Sequence, residues 1–182
     1  MNKLNEKQEK VMAYIKKYWL FLPFSSYLVL QFLTLGVGKL TNSTLRSIPK
    51  LFLFWLAVIT SMLLLLGISR EVFKWGCRKG LKGFPMIKTI WYAILGIAAC
   101  GVIYIGFVIS AFMYKPEHIV VRNGVRMVAS VNSFLQETVS YYEYKNIFFR
   151  GSEIIGYEDY GNGSRDPLED GNKEPVRQYF NE

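Results

Sequence analysis

The chain has 182 residues, of which 51% are apolar and 16% aromatic, and it carries a formal net charge of +8. That charge does not indicate nucleic acid: the Lys and Arg residues stand in clusters between long uncharged runs, whereas a phosphate-tracking surface needs them on one continuous face. Two cysteines, Cys77 in a basic loop and Cys100 in an apolar run, exclude a disulfide framework.

The charge is also divided along the chain. Residues 1–114 hold 14 Lys/Arg against 3 Asp/Glu, and residues 115–182 hold 8 against 11. Two different materials are joined end to end: a basic, apolar part and a slightly acidic one.

Residues 1–18 read as a basic cytoplasmic tail bearing Lys3, Lys7, Lys10, Lys16 and Lys17. Residues 19–114 then form a three-helix membrane region, with uncharged runs at 19–38, 51–69 and 89–114 that are 20, 19 and 26 residues long. At 1.5 Å per residue the runs reach about 30, 28 and 39 Å, against a hydrocarbon core of about 30 Å. The first run contains Pro23 in its opening turns, where a missing amide costs least, together with Gln31 and the Ser25–Ser26 pair. It reads as a span and not as a cleaved signal, because the charged stretch ahead of it is long and no small-x-small pattern follows Leu35.

Between the second and third runs, the loop 70–88 interleaves Lys74, Arg78, Lys79 and Lys82 with Phe73 and Trp75. Lys74, Trp75, Arg78, Lys79 and Lys82 are the candidate lipid-contacting residues of this loop, suited to anionic headgroups on the cytoplasmic side. Gly76, Gly80, Gly83 and Pro85 argue against a long helix there. In the third run Ala93, Gly96 and Cys100 recur at spacings of three and four, a candidate helix-packing face.

Orientation follows from Lys and Arg near the membrane. With three spans, 11 fall on the side of the N-terminus and of the loop 70–88, against six on the other, so the C-terminal domain is expected outside the cytoplasm. Without the first span the count is again 11 against six, and the side of the domain therefore rests on that run. No Asp, Glu, Lys, Arg or His lies in the three runs, which argues against an ion path built from this chain alone.

After Lys115–Pro116 the pattern becomes strand-like, and residues 115–160 read as a small antiparallel β-rich domain, a meander of about four strands. Asn123–Gly124 supplies the positive φ angles of a tight hairpin turn between 118–121 and 125–131, where Val125, Met127, Ala129 and Val131 share one face. A second pair is expected at 138–149 and 153–160 around a turn at Arg150–Gly151–Ser152. Residues 161–182 read as a polar, flexible tail, in which 176–180 has the composition of a short edge strand.

The strand 138–149 sends Val139 and Tyr141 to one face and Tyr142 and Tyr144 to the other. A sheet this small buries one face at best, so the other is expected to meet the membrane interface, a second copy or a partner protein. Tyr141, Tyr142, Tyr144 and Phe148 are the candidate partner-binding aromatic face.

Catalytic and cofactor motifs are absent. The sole histidine, His118, adjoins Glu117, but neighbours on a strand point to opposite faces. The acidic residues Asp159, Asp166, Glu169, Asp170 and Glu174 do not match the twelve-residue calcium loop. No catalytic, cofactor-binding or metal residue is therefore assigned, and an enzyme is not expected.

The fold class expected is a membrane α-helical protein with three transmembrane helices plus the β-rich C-terminal domain. Its expected role is that of a multi-pass cell-membrane protein that presents an extracytoplasmic binding domain, as an accessory, sensor or protective partner of a membrane complex. The alternative is a subunit of a transporter or channel whose helices are the working part. The partners expected are the lipid bilayer and a protein partner or second copy, without nucleic acid.

Overall fold

The structure, a computed structural model, describes residues 18–80, 83–170 and 173–180. The basic tail up to Lys17 and Lys82 of the loop lie outside the described residues. The chain divides into a helical unit, Met1–Phe32 with Leu53–Val108, and a sheet unit, Leu33–Phe52 with Ile109–Glu182.

Helix α1 spans Leu22–Leu40, and Pro23 falls in its first turn, where its missing amide has no helical partner to lose. Ser25 and Ser26 each donate a hydroxyl hydrogen bond to Leu22 O, at 2.9 and 3.0 Å, and so satisfy themselves within the helix. Helix α2 runs over Ser47–Arg78 and α3 over Phe84–Met113. At 1.5 Å per residue, their 32 and 30 residues are about 48 and 45 Å long.

Helix α2 corrects the expected loop at 70–88, because it continues through Lys74, Trp75 and Gly76 to Arg78. One glycine inside a helix costs only about 1 kcal/mol, and here its lack of a side chain is used. A Cβ on Gly76 would lie 2.0 Å from the Phe84 ring, which fills that space. Phe84 in turn meets Phe73 at 5.4 Å between ring centroids.

Within the helical unit, Trp55 packs on Phe107 at 5.1 Å and Phe73 on Tyr92 at 5.8 Å. Trp91 Nε1 donates to Ser69 Oγ at 2.9 Å. Thr60 returns its hydroxyl to Leu56 O at 2.7 Å, as a polar side chain in an apolar helix must. Among the described residues, α2 and α3 are the two helices long and apolar enough to cross a membrane. Only 11% and 6% of their most apolar stretches are buried, unlike the core helices of a soluble domain. Helix α1, with Ser25, Ser26, Gln31 and Lys39, does not meet that measure.

The sheet unit holds a six-stranded antiparallel sheet, among the described residues, in the order β1-β5-β4-β3-β2 with β6 also on β5. Its strands are β1 Ser43–Leu45, β2 Glu117–Arg122, β3 Val125–Asn132, β4 Gln136–Tyr144, β5 Phe149–Asn162 and β6 Arg177–Phe180. Strands β2 to β5 form the meander, and Asn123 and Gly124 take φ values of 52° and 78° at its first turn. β4 occupies one side of β5, so β1 and β6 share the other, at Phe149–Gly151 and Gly156–Asp159 respectively.

Three sequence expectations are revised here. The second turn lies at 145–148, not at Arg150–Gly151–Ser152, because the Asn146 side chain accepts from Phe148 N at 2.8 Å and Phe149 N at 2.9 Å and closes it. Gly151 is instead paired in the sheet with Ser43. The described residues after 160 are held in place: β5 continues to Asn162, a single helical turn α4 spans Pro167–Asp170, and Leu168 and Phe180 pack on the core.

The sheet also buries both faces of its centre. Ala129 and Val131 join Val139, Tyr141 and Tyr160 in the core cluster, while Val128 and Ser130, pointing the other way, are buried as well. Register shifts along β4 at Gln136/Thr138, Tyr141/Tyr142 and Tyr142/Tyr144 bend the sheet. Of the four residues expected to share a face, Val125 stays exposed beside the turn.

Candidate functional site

The chemistry of the sheet unit gathers around buried carboxylates. Glu117, the first residue of β2, accepts from Arg46 Nε at 2.8 Å and Arg150 Nη1 at 3.1 Å. It also accepts from Ser47 N at 3.0 Å, so that one carboxylate caps the start of α2 and binds two guanidiniums. Beside it opens a cavity of about 350 Å³ lined by Arg46, Ser47, Ile48, Pro49, Tyr114, Lys115, Glu117, Ile147 and Phe148. Its apolar wall is the β4–β5 turn, where Ile147 and Phe148 stay exposed. Phe148 O also accepts from Arg46 N at 2.9 Å, which fixes that turn to the residue before α2.

A second carboxylate, Glu158, receives Tyr141 Oη at 2.5 Å, Tyr160 Oη at 2.9 Å and Arg122 Nη1 at 2.7 Å. Burial pushes its pKa up, but those three hydrogen bonds outweigh burial and hold it below the ordinary 4.5. Burial, followed by the bond to Glu158, pushes the Tyr160 hydroxyl up to about 12 and raises Tyr141 as well. Arg122 lies 3.9 Å from the Phe180 ring centroid, so β6 roofs this network. Glu137, on β4, is held below its usual value first by the Lys173 ammonium and then by Arg165 N, 2.9 Å away.

A third cluster joins His118, Asp166 and Glu169, whose donor atoms all lie within 4.8 Å of one another. His118 Nε2 is 2.7 Å from Asp166 Oδ2, and Asp166 Oδ1 accepts from Leu168 N at 3.0 Å at the start of α4. Glu117 and His118 diverge, as neighbours on a strand must: one turns to Arg46 and Arg150, the other to Asp166. Among the described residues, these are the ones grouped so that they could hold a metal ion.

The aromatic face expected from the sequence is split. Tyr141 is buried in the core, with its hydroxyl spent on Glu158, so it offers nothing to a partner. Tyr142 lies under the Arg150 guanidinium at 3.8 Å and Tyr144 near that of Arg126 at 5.3 Å, both half-buried. Phe148 alone of the four is largely open, 59% exposed.

On α3, Ala93, Gly96 and Cys100 are all exposed, and a Cβ on Gly96 would meet nothing within 4 Å. The close approach to α2 is made at Gly106, where a Cβ would be 2.9 Å from Trp55. Of the basic-loop residues, Lys74, Trp75 and Arg78 are on α2, and Lys79 follows it with its ammonium 4.5 Å from the Trp75 ring.

Sequence reasoning missed the carboxylate clusters, because each joins residues far apart in the chain: Glu117 is 71 positions from Arg46, and His118 is 48 from Asp166. Asp166 and Glu169, three apart, together with the sole histidine were the one local hint. No protein-family model matches the chain, and no curated protein or solved structure shows significant similarity to it.

Proposed function

We propose that the chain is a three-span membrane protein whose sheet unit lies outside the cytoplasm and works by binding a protein of a membrane complex at the Ile147–Phe148 turn. The observation that carries this reading is the apolar, outward surface of α2 and α3. The pairing of β1 with β5 supports it further. Strands of one sheet cannot lie on opposite sides of a bilayer, so the number of crossings between Leu45 and Glu117 is even, and α2 with α3 supplies two.

Exposed apolar residues of the sheet unit support the same picture. Phe134 packs on Phe112 at 5.3 Å, near the end of α3, and Ile147 and Phe148 flank Ile48 and Tyr114 at the cavity. Apolar turns beside helix ends suit an interfacial position, and an open Phe148 suits a partner contact. The lack of charge in the long apolar runs favours an anchoring and presenting role over transport.

The test is a single cysteine at exposed Ser164, in a background with Cys77→Ser and Cys100→Ser, treated in intact cells with an impermeant thiol reagent. Labelling before lysis is the expected result. Labelling only after lysis would put the sheet unit in the cytoplasm, with α1 not crossing or the orientation reversed, and would end the extracytoplasmic reading.

A further inference from the structure

The geometry points to a divalent first-row transition-metal site formed by His118, Asp166 and Glu169, which goes beyond the binding role above and does not depend on it. One imidazole nitrogen and two carboxylates make a mixed donor set that suits ions such as Zn²⁺ or Mn²⁺, whereas Ca²⁺ takes oxygen donors alone. The two carboxylates also offset the charge of the ion.

The spacing fits with small movements. Bonds of about 2.0–2.2 Å at tetrahedral angles place donor atoms about 3.4 Å apart. His118 Nε2 and Asp166 Oδ2, now 2.7 Å apart, need to open by less than an ångström. Donors of the cluster lie at most 4.8 Å apart, and Glu169 is exposed and has room to swing inward.

The other two ligands are fixed. His118 is held in β2 opposite Ala129, and Asp166 is oriented by its bond from Leu168 N. The His118–Asp166 contact alone would be an ordinary hydrogen bond. Glu169, one helical turn on, supplies the third donor, and a fourth position is left for water. A bound ion would tie edge strand β2 to the segment that carries α4.

The experiment uses the untagged full chain in detergent with Cys77→Ser and Cys100→Ser, so that thiols bind no metal, and measures Zn²⁺ and Ca²⁺ by equilibrium dialysis. One Zn²⁺ per chain is expected, without Ca²⁺ at the same concentration. Glu169→Gln and His118→Asn should each weaken Zn²⁺ at least about tenfold, while Glu174→Gln keeps the parent affinity. Glu169 is exposed, so its substitution leaves the sheet folded and isolates the loss of a ligand. Substoichiometric Zn²⁺, or unchanged affinity in both Glu169→Gln and His118→Asn, would overturn the site.

Discussion

In the helical unit rings meet rings, Trp55 on Phe107 and Phe73 on Tyr92, and the long helices turn apolar side chains outward. In the sheet unit the reverse holds: Glu117, Glu137 and Glu158 are shielded from solvent, each enclosed by donors, while the apolar residues collect around Val131 and Val139. The sheet unit sorts its residues as a protein in water does, and the helical unit does not. The difference teaches that stability in the two halves answers to different terms, polar satisfaction in one and apolar contact in the other.

The largest effect that would sharpen this contrast is expected from Glu158→Ala. Removing the shared acceptor strands Tyr141, Tyr160 and Arg122 together, and should cost the sheet unit about 3 kcal/mol. The four tryptophans, Trp19, Trp55, Trp75 and Trp91, all fall in the helical unit. Tryptophan fluorescence should therefore stay unchanged while the tyrosine near-ultraviolet dichroism of the sheet melts earlier. A joint loss of both signals would break the contrast.

pH should act next, and again on the sheet unit. Glu158 and Glu137 have folded pKa values below the ordinary 4.5, so the stability they contribute is present above that value and is lost as pH falls below it. Tyr141 and Tyr160 are shifted upward from 10.0, so their contribution is complete below pH 10 and declines as pH rises past it. Thermal melts of the sheet signal should accordingly weaken on both sides of that window, with the acid limb reduced in Glu158→Gln.

The smallest effects on stability separate the two units as binding surfaces. Gly96→Leu in the helical unit and Ile147→Ser with Phe148→Ser in the sheet unit all change exposed positions, and each should shift stability by no more than about 0.5 kcal/mol. Co-purification of a partner should be lost with the Ile147 and Phe148 changes and kept with Gly96→Leu. The opposite outcome would move the working surface to the helices and favour the transporter or channel subunit.

Much of the architecture could be read from local pattern. Asn123–Gly124 marked its turn because two consecutive positive φ angles need those residues, and the apolar runs marked α2 and α3 by length. What escaped was whatever depends on distant partners. Ser43–Leu45 is too short to signal a strand and becomes one only against Phe149–Gly151. Gly151 resembled a turn, whereas the turn was made by the Asn146 side chain. Gly76 resembled a break, whereas it makes room for Phe84. Tyr141 looked available until Glu158, 17 residues on, took its hydroxyl.

The pairing of Ser43–Leu45 with Phe149–Gly151 also sets an order of assembly. At synthesis rates of about 5–20 residues per second, the connection after α1 waits several seconds or more for its strand partner, while α2 and α3 are still being made. During that interval its backbone amides have no sheet to join. A chain stalled before Phe149 never gains one, so the β1–β5 pair distinguishes a chain made past Gly151 from one interrupted before it.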